Sequence, residues 1–347
     1  MADELGAAHQ GAPTYPERGD ARDRFVLDRR SPRPSHDPWR YQDLIVEDER
    51  TEKGDIAPVA TVFLTGRECP WRCVMCDLWR FTTQGETPRG AIPAQIMAAR
   101  QFLDRHSRAV TRIKLYNAGS FFDPLAVPES DYEDIAARLT GLTRVIIESH
   151  PALIGSRVDR FLDALDRQEG AGAAPGRLEV AMGLETAHPE ALERLHKRMT
   201  VDDFARAADA LSGRGVGLRV FLLIAPPFIP PDAQDAWLGR SVDVAFACGA
   251  SVVSLVPTRS GNGALEALEA EGSFRAPRLA EIERAAASAL ARGGGRGRVL
   301  VDLWDLDRFS GCPQCLEARR ARLHAVNLEQ RVSPPIVCAR CGDGEPA

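Results

Sequence analysis

The sequence predicts an α/β fold built from repeated strand–helix units. Three observations carry that prediction. Short runs of β-branched and aliphatic residues recur from Pro58 onward, stretches with helical apolar periodicity separate them, and polar residues gather just past the strand ends. The chain has 347 residues and 44% hydrophobic content. That is ample for one large core with at most a small appendage.

Taken in order, residues 1–37 are rich in Pro, Arg, Asp, Ala and Gly with little apolar periodicity, so they are expected to be disordered. Residues 38–305 are expected to form the main domain, and 306–347 a cysteine-bearing tail. Val59–Leu64 reads as a buried strand, Ala91–His106 as a helix, Ile113–Tyr116 as a second strand and Asp131–Gly141 as a helix. A third strand over Val145–Ile147 precedes a helix at Val158–Arg167, and a fourth covers Leu178–Gly183 with helical patterns to about Ser212. Leu218–Ile224 and Ser251–Val256 are strands flanking a helix at Ala233–Cys248. A helix at Ala280–Ala291 precedes a short strand at Val299–Val301. Strands that alternate with helices imply parallel pairing, in a barrel or an open doubly wound sheet. Both place working residues at the C-terminal strand ends. Asn117-Ala118-Gly119-Ser120, Glu148-Ser149-His150 and Glu185-Thr186 stand at such positions.

A formal net charge of −5 does not indicate a strongly basic nucleic-acid or membrane surface. No apolar signal-peptide stretch opens the sequence and no apolar run reaches the length of a membrane span, so a cytoplasmic protein is expected. In a reducing compartment, clustered thiols suggest metal rather than disulfides. Seven of the eight cysteines are clustered; Cys248 stands alone, on the apolar face of a predicted helix, and reads as a small hydrophobe.

Cys69, Cys73 and Cys76 lie on the loop directly after the first predicted strand. Three thiolates are one short of a closed zinc site. On a four-iron cluster they leave one iron open to a small molecule. This C-x₃-C-x₂-C spacing in this place resembles the signature of the radical S-adenosylmethionine (SAM) superfamily, over about residues 58–260. Met75 stands where an aromatic residue is common in that family. The resemblance implies a partial (β/α)₆ barrel and a 4Fe–4S cluster on Cys69, Cys73 and Cys76. It also implies reductive cleavage of SAM to a 5′-deoxyadenosyl radical that abstracts hydrogen from a substrate. It further implies an electron donor such as flavodoxin or ferredoxin, and SAM contacts among Asn117, Gly119, Ser120, Glu148, Ser149 and Glu185. Arg219 is a candidate partner for a carboxylate. The lone histidines other than His150 carry no specific reading.

Cys312-x₂-Cys315 and Cys338-x₂-Cys341 form two knuckles suited to four-thiolate coordination, either of structural zinc or of an auxiliary 4Fe–4S cluster. The runs Ile113–Asp123 and Gly263–Pro277, together with this tail, resemble the branch around the radical SAM subunit of archaeosine synthase, near the Elongator catalytic subunit and the methylthiotransferases. That resemblance implies a modified nucleobase, 7-deazaguanine or tRNA, as one substrate class. An iron–sulfur and zinc redox sensor without turnover is the alternative from a different class.

Overall fold

The structure, a computed structural model, describes residues 14–106, 108–169 and 176–341. Eight strands form one sheet in sequence order: β1 (Asp43–Arg50), β2 (Ile56–Leu64), β3 (Arg112–Asn117), β4 (Arg144–Glu148), β5 (Leu178–Glu185), β6 (Gly217–Ile224), β7 (Val252–Pro257) and β8 (Arg298–Val301). From β2 onward every pairing is parallel, and β1 adds antiparallel to β2. The crossovers carry α2 (Ala91–Arg105), α3 (Tyr132–Arg138), α4 (Ser156–Glu169), α5 (Pro189–Arg194), α6 (Val201–Ser212), α7 (Gln234–Ala247), α8 (Ala264–Ala270) and α9 (Leu279–Gly293). Two further helices, α1 (Gly19–Leu27) and α10 (Pro313–Glu329), flank the barrel in sequence. The apolar core lies between the sheet and the helix ring, with Ile92, Ile96, Ile113, Phe161, Phe204, Val220 and Ile282 fully buried.

The sheet curls into a nearly closed barrel. Glu49 of β1 reaches Lys114 of β3 at 2.6 Å, Arg219 of β6 at 2.6 Å and Arg298 of β8 at 3.9 Å. Contact between the two edge strands requires that curl. Arg298 also donates to the Arg50 carbonyl at 2.5 Å. The free edge of β8 is satisfied by side-chain amides of and just after α10 rather than by a strand. Asn327 exchanges two hydrogen bonds of 2.8 Å with the backbone of Val301, and Gln330 exchanges bonds of 2.7 and 2.8 Å with that of Val299. Two amides three residues apart match two strand residues two apart, so the edge is covered and cannot template another chain.

The stretch at 14–37, expected to be loose, is ordered; residues 1–13 lie outside the described residues. Its helix α1 has few apolar residues, and its order comes from tertiary anchors. Tyr15 donates to the Arg194 carbonyl at 2.5 Å, Arg22 pairs with Glu193 at 2.5 Å, and Phe25 and Val26 bury against Val74, Leu195 and Leu265. Long-range anchoring of this kind leaves no local periodicity to read. The tail expectation is likewise sharpened: residues 313–329 form the long helix α10, whose Arg319 lies buried against Glu283 at 2.5 Å.

Candidate active site

The C-terminal ends of β2–β8 form the mouth of the barrel, and the cysteine loop crosses it directly after β2. The loop is fixed from several sides. Thr65 and Gln95 exchange two bonds of 2.8 Å, Val74 N–H donates to the Leu195 carbonyl at 3.0 Å, and Asn262 donates to the Val74 and Cys76 carbonyls at 2.8 and 3.3 Å. Arg72 holds the Cys69 and Trp71 carbonyls at 2.7 and 2.9 Å. No disulfide joins any two of the eight cysteines among the described residues. Burial raises the thiols of Cys69, Cys73 and Cys76, that of Cys73 to about 12, although Lys197 opposes the rise at Cys73. Met75 packs beside Val74 and Leu195, covering the loop with a soft apolar side chain.

At the end of β3, Asn117 is buried, and neither its amide nitrogen nor its amide oxygen has a partner among the described residues. An orphaned buried amide costs about 1–3 kcal/mol and calls for a ligand. Gly119 lies so close to the cysteine loop that a Cβ there would sit 2.5 Å from the Arg67 carbonyl oxygen. A larger residue would push the two loops apart. Ser120 and Ser149 serve the backbone instead. Ser120 Oγ accepts from His150 N–H at 2.9 Å, and Ser149 Oγ points to the His150 carbonyl at 3.5 Å. Each hydroxyl thus has a local backbone partner, unlike the Asn117 amide.

The two carboxylates expected at the mouth are joined there by a lysine. Lys197 is buried, hydrogen-bonded to Glu185, and sits in the field of Glu185, Cys73 and Glu148, which keep it protonated against the pull of burial. Burial pushes Glu148 up to about 7, with Lys197 opposing the rise and Glu185 adding to it. Glu185 has φ +66° at a break in the β5–β6 register, a conformation that costs on the order of 1–3 kcal/mol. Gly183 leaves the space this pair occupies: a Cβ there would lie 2.1 Å from Glu185 Oε1 and 2.2 Å from Lys197 Nζ. The residues on either side of Lys197, His196 and Arg198, also have positive φ, turning Lys197 inward while they bond Asp23 at 2.9 and 2.6 Å outside. In the sequence, His196-Lys197-Arg198 reads as an exposed basic turn, and no periodicity singles out its middle residue.

His150 is a structural group. It stacks on Trp71 with ring centroids 3.8 Å apart, accepts from Ala152 N–H at Nδ1 and donates from Nε2 to the Lys197 carbonyl at 3.0 Å. Burial and the charge of Lys197 lower it to about 3, so it stays neutral. Deeper in the barrel, Phe63, Tyr116, Phe221 and Trp304 form an aromatic floor, with successive centroids 5.0–6.5 Å apart. Below it lies the ionic layer of Glu49, Lys114, Glu179 and Arg219. Arg219 does meet carboxylates: Glu49 at 2.6 Å and Glu179 at 2.7 Å, at the end of the barrel away from the mouth.

The four tail cysteines come together. Their sulfurs all lie within 4.8 Å of one another, with Cys312–Cys338 at 3.9 Å and Cys315–Cys341 at 3.8 Å. The backbone N–H groups of Cys341 and Arg340 hold the Cys338 thiol below its ordinary value, while burial and the neighbouring thiols push Cys315 up to about 12. Cys248, at the C-cap of α7, packs partly buried against the main core.

No family model matches the chain. It is 27% identical over 265 residues to archaeosine synthase subunit beta of Methanosarcina acetivorans, covering 72% of this chain and 71% of that protein. It is 26% identical over 182 residues to an uncharacterised protein of Methanocaldococcus jannaschii, covering 49% of this chain and 46% of that one. Among solved structures, the archaeal Elp3 of Methanocaldococcus infernus aligns at a TM-score of 0.49 and 14% identity, covering 81% of this chain and 65% of that one. No helix among the described residues is long and apolar enough to cross a membrane. The three-cysteine loop follows the first parallel strand of a partial barrel, and over 71% of the length of the Methanosarcina relative the chain is similar to archaeosine synthase subunit beta.

Proposed function

We propose that Cys69, Cys73 and Cys76 hold a 4Fe–4S cluster at the barrel mouth, and that the chain uses it with SAM to abstract hydrogen from a substrate seated above the aromatic floor. The observation that carries this reading is the buried, unpartnered Asn117 amide beside the cysteine loop. It offers one donor and one acceptor to a zwitterion such as the amino-acid end of SAM. When bound, the cluster supplies the electron that cleaves SAM. The chain's own groups do the rest. Asn117, Glu148 and the Glu185–Lys197 pair present one amide, two carboxylates and one ammonium for polar groups of SAM or substrate. Trp71 and Met75 cover the loop from solvent, and Tyr116 and Phe221 give the substrate an apolar seat.

The test is anaerobic reconstitution followed by iron, sulfide and zinc analysis, with electron paramagnetic resonance of the reduced protein with and without SAM. About four irons and a signal shifted by SAM support the reading. A dithionite-reduced protein that holds iron but forms no 5′-deoxyadenosine would instead support the sensor. Gly183→Ala probes the mouth sterically without changing its charge. Its Cβ displaces the Glu185–Lys197 pair, and SAM affinity is expected to fall about tenfold or more, or ~1.4 kcal/mol, by equilibrium titration.

At the tail we infer a single zinc ion. Zinc–thiolate bonds of about 2.3 Å place the four sulfurs of a tetrahedron about 3.8 Å apart. Two of the separations, 3.8 and 3.9 Å, match, and all lie within 4.8 Å. Thiolates at the corners of a four-iron cube stand farther apart. Cys315→Ala is expected to lose the zinc and lower the melting temperature while the iron content stays unchanged. Retention of both zinc and melting temperature would overturn the structural-zinc reading.

A second reading concerns the substrate. The relative named archaeosine synthase subunit beta favours a modified nucleobase, free or in tRNA. Formation of 5′-deoxyadenosine that accelerates with base-modified tRNA, but not with unmodified tRNA, would establish it.

A further inference from the structure

The turn that carries Lys197 has two sides. Lys197 enters the mouth and bonds Glu185. Its neighbours His196 and Arg198 line an outer cavity of about 830 Å³ together with Asp23 of α1, and Lys197 does not line it. Both neighbours have positive φ, +61° and +56°. Residues with a side chain adopt that conformation only where the surroundings impose it.

One carboxylate grips both flanks. Asp23 Oδ1 accepts from His196 Nε2 at 2.9 Å, and Asp23 Oδ2 accepts from Arg198 at 2.6 Å. No other carboxylate pairs with either residue among the described residues. The other pins of the turn are carbonyls. That of Leu195 accepts from Val74 N–H at 3.0 Å, and that of Lys197 accepts from His150 Nε2 at 3.0 Å. Neither bond touches the side chains on the outer side.

The support that offers Asp23 is docked without it. Tyr15 donates to the Arg194 carbonyl, Arg22 pairs with Glu193, and Phe25 and Val26 are buried against Val74, Leu195 and Leu265. The N-terminal helix thus brings a carboxylate to the back of the mouth from 173 residues away in sequence.

We propose that Asp23 is a positioning residue for the reaction: by clamping His196 and Arg198 outside, it commits the Lys197 ammonium to the mouth. The proposal rests on the reading of the mouth as a SAM site. Without the clamp the turn is free to relax toward ordinary φ into the open outer cavity. The ammonium then withdraws, and Glu185 loses its partner.

The test is a double-mutant cycle on reconstituted full-length protein with Asp23→Ala, Lys197→Met and the pair. Alanine favours the helix, so α1 keeps its local structure. SAM affinity is read by equilibrium titration of the electron paramagnetic resonance signal of the reduced protein. Asp23→Ala is expected to weaken SAM binding about tenfold in the unaltered background but less than about twofold beside Lys197→Met, because its effect runs through that lysine. A purely structural contact would give the same loss in both backgrounds. Arg198→Met opens the clamp from the turn and leaves α1 untouched, so it should show the same coupled loss even if Asp23→Ala fails to fold. Unchanged SAM affinity in Asp23→Ala or Arg198→Met, or losses independent of Lys197, would overturn the positioning role alone. A SAM-insensitive signal in the unaltered protein would overturn the SAM-site reading and this role with it.

Discussion

Replacing Cys73 by alanine is expected to abolish SAM cleavage, with 5′-deoxyadenosine formation under dithionite falling ~10³-fold or more, to background. Two thiolates cannot hold a cube whose third corner is bare, and Cys73 is the thiol whose field reaches Lys197 and Glu185. The fold should survive. The loop is tied by backbone and amide bonds from Val74, Asn262 and Gln95 that do not involve the sulfur. Circular dichroism and melting temperature should therefore change little while bound iron is lost. Cys69→Ala and Cys76→Ala should behave alike, whereas Cys248→Ala, outside the site, should keep full cleavage. Retention of cleavage in any one of the three loop variants would falsify the cluster assignment.

The parallel strands were legible because each is a short apolar run closed by polar residues, and β2 through β8 fall within a few residues of where the pattern places them. The cysteine loop and the tail pairs were legible because cysteines at short fixed spacings stand out in sequence, and the fold brings the four tail sulfurs within 4.8 Å of one another. What escaped has a common cause. Strand β1 carries Asp43, Glu47, Asp48, Glu49 and Arg50, so it reads as a solvated charged stretch. Glu49 is buried only because β1 lies antiparallel on β2 and faces cations from three other strands. Lys197 and α1 escaped for the same reason. Their places are set by partners up to about 180 residues away, and a window of neighbours carries no trace of that. Among the mouth residues, the Asn117 amide has no partner among the described residues, Glu185 is paired with Lys197, and Ser120 and Ser149 bond neighbouring backbone. Sequence places a polar residue at a strand end but does not say whether its hydrogen bonds are already spent.

Arg219→Met is expected to cost ~3–5 kcal/mol of stability, because it leaves Glu49 and Glu179 buried without their shared cation. A barrel interior is usually filled by branched aliphatic side chains. Here one layer is ionic, and its geometry decides the sign of any change. Removing one charge strands the others, whereas replacing Arg219, Lys114, Glu49 and Glu179 together by apolar residues of similar volume should recover much of the loss. Acidification separates the two effects. Burial alone would raise the Glu49 carboxyl, but Arg219 and Lys114 outweigh it and hold it far below its ordinary value of 4.5. A depressed carboxyl contributes stability that is fully present above the unfolded value and is lost as pH falls toward the folded one. The unaltered protein should therefore lose stability on acidification below about 4.5, and Arg219→Met, with Glu49 less depressed, should lose less. The deficit of the variant is thus largest near neutral pH and narrows in acid. Urea denaturation at a series of pH values reads this directly, and a deficit independent of pH would mean that the arginine acts by packing rather than by charge.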